Sequence, residues 1–186
     1  MKLWPGWLVV LAAASGAVTA CSPTTTANRT GALDPTVTID RTLAVIANAT
    51  IVRVVDGDTV DVDFDVDGAH AEERIRLIGI DTPETKKPNT PVQCFGPEAS
   101  TFTEGLLPVG TRVRVARDVE ARDDYGRLLG YLYRGADGLF VNLEIVAEGF
   151  ARPLTIAPND TFATEFVQVA RDAEAIDKGL WAACSG

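Results

Sequence analysis

Two short runs carry most of the chemistry available to this chain of 186 residues. Asp56-Gly57-Asp58-Thr59 and Arg76-Leu77-Ile78-Gly79-Ile80-Asp81-Thr82-Pro83-Glu84 set carboxylates, a guanidinium and a further acid at the ends of two apolar stretches of β character. A third run, Asp124-Tyr125-Gly126-Arg127, adds a second guanidinium beside a turn glycine. A phosphodiester is anionic and resists attack by water. Its cleavage therefore needs charge neutralisation, a positioned nucleophile and donors aimed at the oxygens where charge develops. Asp58 and Asp81 are hard oxygen donors suited to Ca²⁺, and the backbone carbonyl of Thr82 is a third candidate. So few protein ligands leave the shell to water and substrate, with an affinity on the order of 0.1 to 1 mM, adequate outside a cell. Glu84 follows a stiffening proline and suits a general base, or a group that orients water in line with phosphorus. Arg76 and Arg127 can each meet two phosphate oxygens with one planar fork. Taken singly, each Asp also reads as a turn residue and Arg76 as an outward strand residue. The set is what argues for chemistry.

Those residues need a frame. β-branched residues over 43–55 stop at Asp56-Gly57 and predict a strand and turn. Val60, Val62, Phe64 and Val66 then alternate with Asp61, Asp63, Asp65 and Asp67, which predicts a half-buried strand whose acidic face is solvated. Asp67-Gly68 is a hairpin signal, with a returning strand over 74–80. Pro97, then Glu98, Ala99, Phe102 and Leu106 at helical spacing, predicts a helix ending before Pro108. Val113 and Val115 mark a fourth strand, 128–133 a fifth, and 141–148 a helix stopped by Gly149. Phe162, Phe166, Val169, Ala173 and Ile176 fall on one stripe of a last helix, closed by Gly179. The order suits an α+β fold: a five-stranded Greek-key barrel of the OB type with three packed helices. His70, the single histidine, lies beside the hairpin turn, and no second histidine supports a zinc or triad role.

The N-terminus reads as an export signal over residues 1–20, with Lys2 followed by a mostly apolar stretch and Val18-Thr19-Ala20-Cys21 at its end. The last four residues look like a lipobox, in which Cys21 is acylated and tethers the mature chain to a membrane. Ordinary cleavage after Ala20 and an uncleaved anchor are the alternatives. Pro5, Gly6, Ser15, Gly16 and Thr19 interrupt the stretch and argue against a spanning helix. Residues 21–42, rich in Thr, Ala, Pro and Asn, suit a tether, and residues 43–182 a single domain. With lipid on Cys21, Cys94 and Cys184 are left either to pair or to stay as isolated thiols. A bridge closing so long a loop stabilises by roughly 4 to 5 kcal/mol in the chain-entropy model. Net charge is −9, and loss of residues 1–20, which hold Lys2 and no acid, makes the remainder one unit more negative. That excludes tight nucleic-acid binding through the overall field, so phosphate attraction must be local.

In this order the three runs resemble the staphylococcal nuclease (thermonuclease) family, as do Gly96-Pro97-Glu98-Ala99-Ser100, Phe140-Val141-Asn142 and Gly179-Leu180-Trp181. The resemblance spans about 45–181. It implies an OB barrel with three helices and calcium-dependent hydrolysis of DNA and RNA that leaves 3′-phosphate ends. By position, Asp58, Asp81 and the Thr82 carbonyl hold calcium, Glu84 acts on water, and Arg76 and Arg127 contact phosphate. Tyr125 matches a tyrosine near a terminal phosphate, Asp56 stands behind the ligands, and Lys86 and Lys87 lie on the substrate-facing loop. Two departures matter. Asp124 replaces a lysine that would attract a terminal phosphate, and Pro153-Leu154-Thr155-Ile156-Ala157 lacks base-stacking aromatics, a loss of roughly 1 to 3 kcal/mol per stacked base. The expectation is a monomeric, exported nuclease acting on extracellular DNA and RNA, held at the cell surface through Cys21 or released. It should bind substrate weakly with its chemistry intact. The alternative is a catalytically inactive, nuclease-like surface binding module.

Overall fold

The computed structural model describes residues 44–86 and 91–184, with side chains from Asn48 onward. The expected signal, the tether, Cys21 and Lys87 lie outside these residues. Five strands close a barrel in the order β1 (Ala44–Asp56), β2 (Thr59–Val66), β3 (Ala69–Leu77), β6 (Leu128–Arg134), β5 (Arg112–Arg117). All neighbours are antiparallel except β3 and β6. β1 is long enough to serve two partners, its first half against β5 and its second against β2. Bulges after Ile51 and Val54 bend it around the barrel. Ile51, Val60, Val62, Ile75, Val115 and Leu132 fill the interior. The predicted alternation holds through Phe64, but Val66 is 56% exposed because the hairpin tip projects past the core. Asp67 and Gly68 both take positive φ there, as a tight hairpin turn requires.

Helices α1 (Gly96–Leu106) and α2 (Val141–Ala147) pack on barrel strands, α3 (Ala163–Glu174) packs on α2 beside the chain that leaves the barrel, and a short α4 (Leu180–Ala183) follows. Among the described residues no helix is long and apolar enough to cross a membrane. The barrel of five strands and its packed helices are the expected OB arrangement.

Two expectations need correction. The strand predicted over 74–80 is broken. β3 ends at Leu77, Ile78 donates its N–H to Gly130, and β4 (Gly79–Asp81) turns away to pair with β7 (Arg152–Leu154). Gly79 makes the bend: its φ is 85°, and a Cβ there would collide with the Phe166 ring. The last helix is also shorter than predicted. α3 stops at Glu174, Ile176 is 69% exposed, and Gly179 starts α4 instead of closing α3. The chain leaves the helix through Asp177, whose φ is 52°, with the Lys178 N–H returning to the Ala173 carbonyl at 2.9 Å, and a Cβ on the following Gly179 would strike the Gly149 carbonyl.

A buried side chain ties the break in place. Asn142 on α2 accepts from the Leu132 N–H at 2.9 Å and donates to the carbonyls of Ile78 and Gly130 at 2.9 and 3.2 Å. Cys94 and Cys184 form a disulfide, Cα to Cα 5.9 Å, which fastens the approach to α1 to the end of α4. The isolated-thiol alternative is thereby removed.

Candidate active site

The turn between β1 and β2, the end of β4 and the 123–127 turn bound one cleft of about 610 Å³. Asp58, Arg76, Asp81, Glu84, Tyr125 and Arg127 all line it. Residues far apart in the chain thus meet at one surface, and each is held by identifiable contacts.

Asp58 is 6% exposed. Its Oδ2 accepts from the Thr82 N–H and hydroxyl at 2.9 and 3.0 Å, and Oδ1 accepts from the Thr59 hydroxyl at 3.1 Å. Thr82 therefore enters the site as the donor that fixes Asp58. The turn carrying Asp58 is anchored from below, where the Thr103 hydroxyl on α1 donates to the Gly57 carbonyl at 2.8 Å. Gly57 is packed against Thr82, and a Cβ there would sit 2.8 Å from three of its atoms. A Gly57→Ala change must therefore displace the donor of Asp58.

Arg76 explains why the break after Leu77 matters. Nη1 donates to the carbonyls of Leu77 and Ile80, both at 2.8 Å, so the guanidinium fills the bend between β3 and β4. Nη2 faces two carboxylates, Asp58 Oδ2 at 3.1 Å and Asp81 Oδ1 at 3.2 Å. Charge here is unbalanced toward the negative. Burial, and then the Asp58 charge, push the Asp56 carboxyl up to about 6. Burial and Asp58 also raise Asp81, although Arg76 opposes them.

Glu84 lies just past β4. Its Oε1 accepts from the N–H groups of Thr85 and Lys86 at 2.9 and 2.8 Å. Gln93 grips its backbone in both directions: the Glu84 N–H donates to Gln93 Oε1, and the Gln93 N–H to the Glu84 carbonyl, each at 2.9 Å. Lys86 is exposed and lines the same cleft.

Arg127 is organised by Asp123. Oδ1 accepts from the N–H groups of Tyr125 and Arg127 at 3.0 and 2.9 Å, and Oδ2 accepts from Arg127 Nε at 2.6 Å. The guanidinium carbon lies 5.4 Å from the centre of the Tyr125 ring, itself 86% exposed. Sequence reasoning missed Asp123 and Gln93. The first had a usable signal, since an Asp ahead of a Tyr-Gly-Arg turn favours a side chain that caps the following N–H groups. Gln93 had none.

The donor set fits a hard divalent cation. Two carboxylates converge on one guanidinium nitrogen with Asp56 close behind, leaving a surplus of negative oxygen that a cation would neutralise. Among the described residues no three His, Cys, Asp or Glu side chains form a cage. Protein side chains would therefore supply only part of a coordination shell.

A family model described as Staphylococcal nuclease homologue matches residues 74–183, more than half of the chain. The chain belongs to the staphylococcal nuclease family. This nuclease is 44% identical over 131 residues to a thermonuclease of Staphylococcus intermedius, an alignment covering 70% of this chain and 74% of the relative. A thermonuclease of Staphylococcus hyicus is 40% identical over 131 residues, with 70% and 73% covered. Endonuclease YncB of Bacillus subtilis is 34% identical over 137 residues, 73% of this chain and 62% of the relative. The Asp56–Thr59 run precedes the matched segment of the family model, and Asp56, Asp58 and Thr59 line the cleft beside residues within that segment.

Proposed function

We propose that this nuclease is a calcium-dependent phosphodiesterase that hydrolyses extracellular DNA and RNA and leaves 3′-phosphate ends. The observation that carries the reading is the meeting of Asp58, Asp81, Glu84, Arg76 and Arg127 in one cleft. Asp58, Asp81 and the Thr82 carbonyl would hold Ca²⁺, which when bound neutralises phosphate charge and favours ionisation of water. Glu84 orients the attacking water and receives its proton. Arg76, clamped by two carbonyls, presents a fixed positive edge to the equatorial oxygens and needs little reorganisation as charge builds. Arg127, held by Asp123, approaches from the opposite turn and stabilises the leaving oxygen. Export through residues 1–20 and lipidation of Cys21 agree with this chemistry, because a weak calcium site suits an exterior rich in that ion and a disulfide suits an oxidising one.

The test is cleavage of plasmid and single-stranded DNA by the purified protein, with calcium and then with chelator. Cleavage that is abolished by chelator and restored by calcium is expected, with phosphate found on the 3′ ends. Retained cleavage under chelation removes the metal from the mechanism. No cleavage in any divalent ion returns the domain to a binding module.

A further inference from the structure

Past Arg74 the active-site cleft continues into a second one of about 580 Å³, and the two share Arg74, Tyr125 and Arg127 as walls. Three strands build its floor. Arg53 on β1 lies opposite Asp61 on β2, and Asp61 opposite Arg74 on β3. Arg74 donates to Asp61 through Nε at 2.7 Å and Nη2 at 3.1 Å, and Arg53 through Nε at 2.6 Å. Two guanidinium groups thus share one carboxylate, which leaves this triad one unit positive, although Glu72 and the Arg122-paired Glu73 line the far side of the same cleft. Among the described residues, Arg74 Nη1 and both Nη groups of Arg53 have no hydrogen-bond partner. The two side chains are 44% and 60% exposed, so those donors face solvent.

Position along the strand gives these donors meaning. Arg74 and Arg76 are two residues apart on one face of β3, a separation of about 6.6 Å along the strand. A stretched nucleic-acid strand advances one nucleotide over such a distance. Tyr125 stands exposed between the clefts, where an unpaired base can lie on its ring. The run of positive charge then stops. Two residues further back on the same face is Glu72, and the neighbouring Glu73 is already bound by Arg122 at 2.7 Å.

We propose that Arg53 and Arg74 form a second phosphate subsite, which takes the phosphate adjacent to the scissile one on single-stranded DNA or RNA, and that the grip ends there because Glu72 follows. The proposal rests on the phosphodiesterase reading and adds a length requirement to it: a strand of at least three nucleotides. Asp61 is the brake on this subsite, since it occupies the donors that a phosphate would use.

Steady-state kinetics on single-stranded dinucleotide, trinucleotide and hexanucleotide substrates test this across a salt series. For the unaltered protein KM should fall from dinucleotide to trinucleotide and then level off. Arg53→Gln should raise KM for the trinucleotide about three- to tenfold more than for the dinucleotide. It should also reduce the slope of log affinity against log salt by about 0.7, the value of one single-strand phosphate contact. Asp61→Asn should act in the opposite sense, lowering KM for the trinucleotide and steepening the slope. A purely structural triad would give KM changes independent of length in both variants, accompanied by lower unfolding midpoints, and that result overturns the subsite. An active parent protein whose KM does not vary with length sinks the subsite alone. A parent inactive on every substrate sinks the phosphodiesterase reading with it.

Discussion

Arg76 and Arg127, the two arginines flanking the acids of the cleft, are held in different ways. Arg76 is locked inside the bend between β3 and β4 by two carbonyls and two carboxylates, and its side chain is only 15% exposed. Arg127 sits on a surface turn, anchored by one carboxylate and lying beside an exposed tyrosine. Even that turn depends on a clip: Arg122 donates to the Gly126 carbonyl at 2.8 Å while pairing with Glu73 on β3. The first region is built into the fold and the second is attached to it. Loss of Arg76 should therefore damage folding and chemistry together, whereas changes around Arg127 should separate them.

The largest expected effect is that of Arg76→Lys. A lysine cannot satisfy both carbonyls and both acids, so kcat should fall by about 10³ or more. Stability should fall by roughly 3 kcal/mol, because a mostly buried charged network loses its centre. Arg127→Lys should lower kcat by about 10² with little change in the unfolding midpoint. Equal destabilisation by the two changes would erase the contrast between the regions.

Next in size is the support for Glu84. Gln93→Ala should reduce kcat about tenfold at nearly constant KM, since the base loses the side-chain half of its clamp while substrate contacts remain. Replacing Cys94 and Cys184 together with Ser should lower stability by roughly 4 kcal/mol in the chain-entropy model, read from the denaturant midpoint. A kcat that tracks stability rather than the Gln93 contact would show that Glu84 needs only a folded domain.

Smaller changes address the rim. Asp124 is exposed beside Tyr125, so Asp124→Lys should lower KM for single-stranded DNA by about threefold to tenfold and steepen its salt dependence. The smallest effect concerns the clip. Arg122 beside Glu73 holds that carboxyl below the usual range. The stabilisation is therefore complete above the unfolded carboxyl value and disappears as pH falls through the lower folded value. Glu73→Gln should lower the melting temperature by about 2 °C near pH 7 and by nothing in strong acid. A deficit that persists in acid would assign Glu73 a packing role.

Much of this molecule was legible from residue order. The barrel strands follow from period-two alternation, α1 from Pro97 and its apolar stripe, and the acids and arginines from their clustering at strand ends. What stayed hidden depends on contacts between distant segments. Nothing local in Arg76 to Ile80 announces that Gly79 must make room for Phe166, or that Asn142 will hold the carbonyls freed at the break. The stripe ending in Ile176 is regular in period, yet α3 stops before it, and the chain turns off through Asp177 toward the close approach of Gly179 to Gly149. The acidic face of β2 looked like solvent-facing charge, and only the pairing of three strands shows Asp61 bound by two arginines.

The sulfur bridge spans 90 positions of sequence and encloses β5, β6, β7 and all four helices. A protease cutting once within that span, for instance at the exposed turn 135–137, would leave two fragments that cannot diffuse apart. Such nicked protein should migrate as one band on a denaturing gel until a reductant is added. In surroundings crowded with secreted peptidases, the bridge would prolong the working life of a molecule whose backbone is no longer intact.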